Sequence, residues 1–280
     1  MKYKDPIYID RDLDPEKCSD QLSSLQRVEI NCVGLCNRTC PFCPRVDSKV
    51  YPNKNVHMSE KTAIAIYKSL QDIDYNGRIT FSGMSEPLLH EDIFNILKHA
   101  HITVRKLSRL QIITNGDFLT AEIYNKLIDC GVDRIEINLY DGEWQVDEFD
   151  RMLKNSDTSR YIFRKHYYDE TDDYGLILNN RGGAICTGES GILYKDKPCY
   201  LPFYKMVIDW NGKILLCPQD WLHKSEFNLN ININTIKEIW LSPQLTEYRS
   251  MLKNNRRAKG PCDGCNVIGT ITGREAFENF

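Results

Sequence analysis

The stretch RVEINCVGLCNRTCPFC, residues 27–43, decides how this chain is interpreted. Its first six residues alternate polar and apolar side chains, as a β-strand with two different faces does. Three cysteines follow within eight residues of loop, at Cys36, Cys40 and Cys43. Thiolates this close together can hold one face of an iron-sulfur cube and leave one iron without a protein ligand. The alternative is a zinc site completed by His57 or a distant cysteine.

The cysteine content as a whole supports metal binding. The chain has 11 cysteines, an odd number, and a polar start that predicts neither export nor a membrane span. Reduced thiols in a cytoplasmic protein are therefore expected, and a disulfide framework is not. Four further cysteines cluster in the last third of the chain, at Cys199, Cys217, Cys262 and Cys265.

Length and charge limit the possible functions. A chain of 280 residues fits one large domain with a small appendage. Its 36 basic and 39 acidic residues are spread along the sequence, so a nucleic-acid partner is not expected. A small-molecule substrate fits this balance better than a polyanion does.

Strand and helix patterns alternate after the first cysteine loop. Predicted helices run from Ser59 to about Asp72, Glu91 to His101, Thr120 to Cys130 and Trp144 to Lys154. Predicted strands are Arg78 to Phe81, Leu110 to Thr114, Arg134 to Leu139, Tyr161 to His166 and Leu176 to Leu178. This alternation is typical of a parallel sheet with its functional loops at the carboxyl ends of the strands. We therefore predict an α/β fold, a partial (β/α)6 TIM-like barrel.

From about Gly188 onward the pattern changes to a small cysteine-rich α+β segment. Met206 to Asp209 and Lys213 to Cys217 predict a hairpin through an Asn-Gly turn, and a helical stretch near residues 235–254 follows. We predict an N-terminal extension (1–26), the barrel (27–187) and a cluster domain (188–280). A metal cluster on the four cysteines would stabilise so small a unit, with a four-cysteine zinc as the alternative.

The first cysteine group resembles the C-x-x-x-C-x-x-C signature of the radical S-adenosylmethionine superfamily, with Phe42 at the aromatic position before the last cysteine. The resemblance implies a 4Fe-4S cluster whose open iron is chelated by the amino and carboxylate groups of S-adenosylmethionine. Electron transfer then releases a deoxyadenosyl radical. It also implies that the Phe42 backbone lies near the adenine.

Two more motifs resemble that family's cofactor site. Ser82-Gly-Met-Ser-Glu-Pro87 is similar to the Gly-Gly-Glu-Pro motif that binds the amino group of S-adenosylmethionine, although Met84 and Ser85 depart from it. The resemblance implies binding roles for Ser82, Gly83 and Glu86. Thr114-Asn115-Gly116 matches a motif near the ribose and methionine moieties.

The second cysteine group resembles the auxiliary-cluster domain called SPASM, or twitch when it is abbreviated. Four thiolates leave no open iron, so a second 4Fe-4S cluster there is expected to handle electrons. Stretches 112–120, 178–183 and 249–253 resemble those of aminocyclitol dehydrogenases in this branch. That resemblance implies a substrate contact for Arg181, which suits orienting a hydroxyl better than acting as a base.

Several functions stay open on the sequence alone. The first is oxidation of a secondary alcohol on an aminocyclitol or sugar, with the auxiliary cluster as electron acceptor and a flavodoxin- or ferredoxin-type reductant. The second is epimerisation of a sugar, cyclitol or peptide, with Cys186 as hydrogen donor. Maturation of a ribosomal peptide ranks after these. A zinc-stabilised binding module without catalysis is the alternative from another class.

Overall fold

The computed structural model describes residues 22–167, 179–185, 196–267 and 273–280. Its strands are β1 (Arg27–Asn31), β2 (Arg78–Phe81), β3 (Arg109–Thr114), β4 (Arg134–Leu139), β5 (Tyr161–Lys165), β6 (Lys205–Asp209) and β7 (Ile214–Leu215). They form one sheet in the order β5-β4-β3-β2-β1-β6-β7. All neighbours pair in parallel except β6 and β7, which form an antiparallel hairpin. The predicted α/β partial barrel is confirmed.

Eight α-helices accompany the sheet in the described part of the chain, and the first four connect β1 to β5 in turn. They are α1 (Glu60–Asp72), α2 (Ile93–Thr103), α3 (Ala121–Asp129), α4 (Trp144–Met152), α5 (Leu201–Tyr204), α6 (Ile236–Trp240), α7 (Pro243–Lys253) and α8 (Arg274–Asn279). Ser59 and Thr120 cap α1 and α3 through their hydroxyl groups, because each accepts a backbone N–H three residues on.

The first five predicted strands are confirmed, and the predicted strand at 176–178 lies outside the described residues.

One face of the sheet is apolar and packs against the helices. Val28, Ile30, Ile79 and Phe81 alternate along β1 and β2 and are fully buried. They belong to one core cluster with side chains of α1 and α2, such as Ile66. Alternation of side chains along a strand then directs the polar residues to the opposite face, inside the partial barrel.

That inner face carries charged and amide side chains that pair across neighbouring strands. Lys205 of β6 donates to Glu29 of β1 over 2.9 Å, and Arg27 lies 3.8 Å from the same carboxylate oxygen. Burial alone opposes ionisation of Glu29, but the charges of Lys205 and Arg27 outweigh it and hold its pKa below the usual value. This buried ion pair fastens β6 to the barrel.

A second polar chain joins the other strands. Arg78 of β2 donates to Gln111 of β3 over 3.3 Å, and Gln111 donates to Glu136 of β4 over 3.2 Å. Arg164 of β5 lies 3.5 Å from the other oxygen of Glu136. The interior of this barrel is therefore filled by a polar network that fixes the register of four strands.

The hairpin predicted in the cysteine-rich segment extends the barrel sheet. Lys205 pairs with Arg27 and Asp209 with Asn31, so β6 takes the place next to β1 as a sixth parallel strand. Gly212 at the turn has a φ of 81°, and a Cβ there would lie 2.5 Å from the Asn232 side chain. The division at residues 26/27 and 187/188 stays a prediction. Among the described residues no helix is long and apolar enough to cross a membrane.

The Lys205–Glu29 pair yields a stability prediction. Lys205→Met should lower the free energy of unfolding by about 3–5 kcal/mol, because a buried carboxylate loses its nearest cation. Urea unfolding measures this, with Lys237→Met on the exposed face of α6 as the control. A loss equal to that of the control would contradict the importance of the pair.

Candidate active site

The loops that follow β1 to β5 meet at one edge of the sheet, as parallel pairing requires. Cys36, Cys40 and Cys43 follow β1, and the Cys43 amide donates to the Cys40 carbonyl over 3.0 Å, which closes a tight turn. All three thiols are partly buried. Burial, followed by the charges of Cys43 and Cys36, raises the pKa of Cys40 to about 12. The structure thus brings the three predicted ligands together.

Cys36, Cys40 and Cys43 fit an iron-sulfur cluster, because thiolates are its usual ligands and the three side chains lie close enough to influence one another's pKa. Across the described residues, no three His, Cys, Asp or Glu side chains converge closely enough to hold a single metal ion. A cube distributes its thiolates over different iron atoms, so it does not need such convergence. His57, the alternative zinc ligand, is hydrogen-bonded to Asn55 over 2.8 Å and lies 3.5 Å from Glu91.

Arg38, inside the cysteine loop, clamps that loop to the ends of two other strands. Its guanidinium donates to both carboxylate oxygens of Asp117, after β3, over 2.5 and 2.7 Å. It also donates to both oxygens of Asp141, after β4, over 2.6 and 2.8 Å. Hydrogen bonds from Arg38 in turn lower the pKa of Asp141. Two bidentate ion pairs therefore fix the cluster loop in orientation as well as position.

Glu86 occupies the centre of the predicted S-adenosylmethionine site. Its carboxylate accepts from the Thr114 hydroxyl and from the Asn115 backbone N–H, each over 2.7 Å. The Asn115 side chain donates to Asn37 of the cysteine loop over 2.7 Å. Burial raises the pKa of Glu86 to about 7, so a cationic amino group beside it would favour the carboxylate form.

Ser82 and Gly83 lie between the end of β2 and this carboxylate. Ser82 is buried, and Gly83 has a φ of 107°, where a Cβ would lie 3.2 Å from the Asn31 side chain. The departures from the family pattern have a local explanation, because the Met84 N–H and the Ser85 hydroxyl both donate to Asn31. These bonds hold the turn in place without the usual glycines.

Phe42 belongs to an aromatic group that the sequence analysis did not single out. Its ring stacks on Tyr140 at 6.3 Å and on His166 at 6.1 Å, and those two rings stack on each other at 5.1 Å. Tyr140 and His166 follow β4 and β5, so their places at strand ends were the available signal. In the sequence His166 is only the last residue of a predicted strand, with no ligand spacing to other histidines, and the structure gives it a place in the site.

His166 is buried and unsatisfied. Neither ring nitrogen has a hydrogen-bond partner among the residues that the structure describes. Burial first, and then the charges of Arg164 and Arg181, lower the pKa of His166 well below its usual value. The ring is therefore neutral, with one N–H and one lone pair available to a polar ligand.

Arg181 is held in a strained conformation next to the first cysteine group. Its φ is 49°, in the left-handed region that residues other than glycine rarely adopt, at a cost of about 1–3 kcal/mol. Its Nε is buried without a hydrogen-bond partner in the described part of the chain. Burial lowers the Arg181 pKa, and the nearby thiols of Cys43 and Cys40 oppose that shift. Strain and desolvation of this kind are frequent at binding and catalytic sites.

The four predicted auxiliary ligands also come together. Cys199, Cys217, Cys262 and Cys265 are all buried. Burial, followed by the charges of the other three thiols, raises the pKa of Cys217 well above its usual value. Thiols this close would repel one another as thiolates, and a cationic cluster core relieves that repulsion. The donor set therefore fits an iron-sulfur cluster with no open position.

A single short segment packs beside the second cysteine group and brings the charge of Arg181 close to Cys43 of the first. Asn180 donates to the Gly264 carbonyl over 2.6 Å, and its backbone N–H bonds to the Asn266 side chain over 2.9 Å. A Cβ on Gly182 would lie 2.4 Å from the Gln219 carbonyl oxygen, so only glycine fits there. The segment therefore presents Arg181 toward the first group while it packs on the second. Cys186 lies outside the described residues.

Comparison with known proteins agrees with this geometry. Residues 30–173 match the model of the Radical SAM superfamily, and residues 199–266 match SPASM, an iron-sulfur cluster-binding domain. The chain belongs to the radical S-adenosylmethionine superfamily and is an enzyme of its auxiliary-cluster branch. Its cofactors are accordingly S-adenosylmethionine, a 4Fe-4S cluster and a further iron-sulfur cluster in the SPASM domain.

Particular relatives extend the likeness to nearly the whole chain. The S-adenosyl-L-methionine-dependent 2-deoxy-scyllo-inosamine dehydrogenase of Niallia circulans is 30% identical over 257 residues, covering 90% of this chain and 96% of that protein. The crystal structure of BtrN in complex with AdoMet and 2-DOIA superposes with a TM-score of 0.74 and 25% identity over 88% of this chain and 94% of that one. An open BtrN conformation gives a TM-score of 0.67 at 22% identity, over 90% and 97% of the two chains.

The Arg38 clamp can be tested by binding. Arg38→Gln should weaken S-adenosylmethionine binding to the reconstituted enzyme about tenfold, since losing about 1.4 kcal/mol of loop positioning corresponds to that factor. Equilibrium dialysis gives the affinity, and iron analysis shows whether the first cluster is retained. Arg105→Gln at an exposed position is the matched control. An affinity equal to that of the control would contradict the clamp.

Proposed function

We propose that this enzyme oxidises a secondary alcohol of an aminocyclitol or a sugar-like molecule to a ketone. The main observation behind the proposal is the segment around Arg181, which packs on the second cysteine group and carries a strained, desolvated arginine whose charge acts on Cys43 of the first group. A substrate at that place would be within reach of a radical source on one side and an electron acceptor on the other. The 30% identity to an aminocyclitol dehydrogenase supports the substrate class.

The residues divide into three sets in this proposal. Cys36, Cys40 and Cys43 hold the first cluster, and Cys199, Cys217, Cys262 and Cys265 hold the second. Glu86, with Thr114, Asn115, Ser82, Gly83 and Phe42 around it, binds S-adenosylmethionine. When bound, S-adenosylmethionine and the first cluster would supply hydrogen-atom abstraction from carbon, and the second cluster would supply a one-electron acceptor. A flavodoxin- or ferredoxin-type protein is the proposed source of the initiating electron.

Arg181 and His166 handle the alcohol oxygen. Oxidation of a secondary alcohol to a ketone removes a hydrogen atom from carbon, a proton from oxygen and one electron. Arg181 stays protonated and orients the oxygen by donating a hydrogen bond. The neutral His166 accepts the hydroxyl proton at a ring nitrogen that has no competing partner in the described structure. Because burial and the two arginines weaken His166 as a base, the proton moves only after the hydrogen atom has left carbon, when the hydroxyl is most acidic.

The reaction is tested with isotopes. Anaerobically reconstituted enzyme is incubated with S-adenosylmethionine, a reductant and aminocyclitols or sugars deuterated at the carbinol carbon. We expect deuterium in 5′-deoxyadenosine and one ketone for each deoxyadenosine formed, both measured by mass spectrometry. Deuterium transfer that gives an inverted alcohol in place of a ketone would contradict dehydrogenation.

A variant of Cys186 separates the same alternatives. Dehydrogenation needs no hydrogen donor, so Cys186→Ala should leave ketone formation intact. Loss of turnover in this variant, with deoxyadenosine still formed, would favour epimerisation. The control is Cys130→Ala, because Cys130 is a buried cysteine at the C-terminal end of α3 and has no role in the active site.

The role of His166 gives a separate prediction. His166→Phe keeps the ring stack on Tyr140 but removes both nitrogens, and should lower ketone formation about a hundredfold. S-adenosylmethionine affinity, measured by equilibrium dialysis, should stay at the wild-type value. His99→Phe, at a ring that is 42% exposed, is the control. If affinity falls as far as turnover does, His166 contacts the adenosyl group and the proton-acceptor role is wrong.

A further inference from the structure

The fold exposes some of the basic residues after α7 and buries another. Arg256 is exposed, whereas Arg257, the next residue, is buried with 6% of its surface accessible. The basic run KNNRRAK, residues 253–259, predicts an ordinary solvated helix end. Burying one guanidinium of such a run costs free energy, so its surroundings need an explanation.

Arg257 reaches into the second cysteine group through backbone carbonyls. Its Nε donates to the Lys197 carbonyl over 3.0 Å, and one Nη donates to the Pro198 carbonyl over 2.9 Å. The other Nη donates to the carbonyl of Cys265 over 3.3 Å. The side chain therefore links the residues before Cys199 to the last cysteine of the group.

The positive charge of Arg257 acts on thiols of the second cysteine group. Within the described ranges no acidic side chain forms an ion pair with it. Its charge counteracts the effect of burial on the pKa values of Cys199, Cys262 and Cys265. The positive charge of Arg257 therefore lies close enough to three thiols of the proposed cluster site to favour their ionised forms.

A buried carboxylate also lies near the second cysteine group. Asp220 is fully buried and contributes to raising the pKa values of Cys217 and Cys262. Its carboxylate accepts from the Lys224 and Ser225 backbone N–H groups and from the Ser225 hydroxyl. The second group therefore has both a buried cation and a buried anion near its thiols.

Electrostatics gives these two charges opposite effects on electron affinity. A cube with four thiolates carries net negative charge, and reduction adds one more negative charge. A buried cation stabilises the reduced form more than the oxidised form, and a buried anion does the reverse. We propose that Arg257 raises the reduction potential of the auxiliary cluster and so makes it an effective electron acceptor. This inference rests on the cluster ligands assigned under the proposed function.

The test is a potentiometric titration of the full-length chain. Substituting Cys36, Cys40 and Cys43 by alanine leaves only the second cluster to be observed by electron paramagnetic resonance. In that background Arg257→Gln should shift the potential to more negative values, and Arg256→Gln should leave it unchanged. Arg257→Lys keeps a positive charge and should shift it less than Arg257→Gln does.

Asp220→Asn keeps the inference testable if Arg257→Gln fails to retain iron. It removes the opposing charge and should shift the potential to more positive values. An unchanged potential in an iron-loaded Arg257→Gln protein, or in Asp220→Asn, overturns the inference while wild-type alcohol oxidation leaves the proposed function standing. If the triple cysteine variant holds no cluster, both the ligand assignment and the inference fail.

Discussion

Parallel pairing of six neighbouring strands is the constraint on which the rest of this structure depends. It brings every β-to-α loop to one edge, so side chains far apart in sequence meet there without long excursions of the backbone. The cysteine loop, Glu86, Asp117 and Asp141 come from four different strand ends. Their hydrogen bonds to one another then convert proximity into fixed geometry, which radical chemistry requires more than most reactions do.

Inside the barrel, paired polar side chains hold the strands in the alignment that this edge requires, although the sheet is buried on both faces. Charged and amide side chains cross from β6 to β1 and from β2 to β5. Such pairs add little net stability, but they penalise any slip of register, because a one-residue shift would leave charges buried without partners. The sheet is thereby held to the alignment that the site needs.

Much of the fold and the cofactor site could be predicted from the sequence because both are locally encoded. Strand alternation, capping residues such as Ser59 and short cysteine spacings all lie within a few residues of one another. The place of β6 beside β1 was not predictable in this way, since it is decided by partners almost 180 positions apart. His166 and Arg257 were missed for the same reason, because only tertiary burial distinguishes them from ordinary surface residues.

The glycine at position 182 has a consequence for how such enzymes could diversify. Its backbone presses against Gln219, and its neighbour Asn180 is bonded to the loop between the last two cysteines. The arginine between them is thus supported from behind by the cysteine-rich region. Changes in the cysteine-rich region would therefore also shift the backbone that holds Arg181, so the two parts of the chain are constrained to vary together.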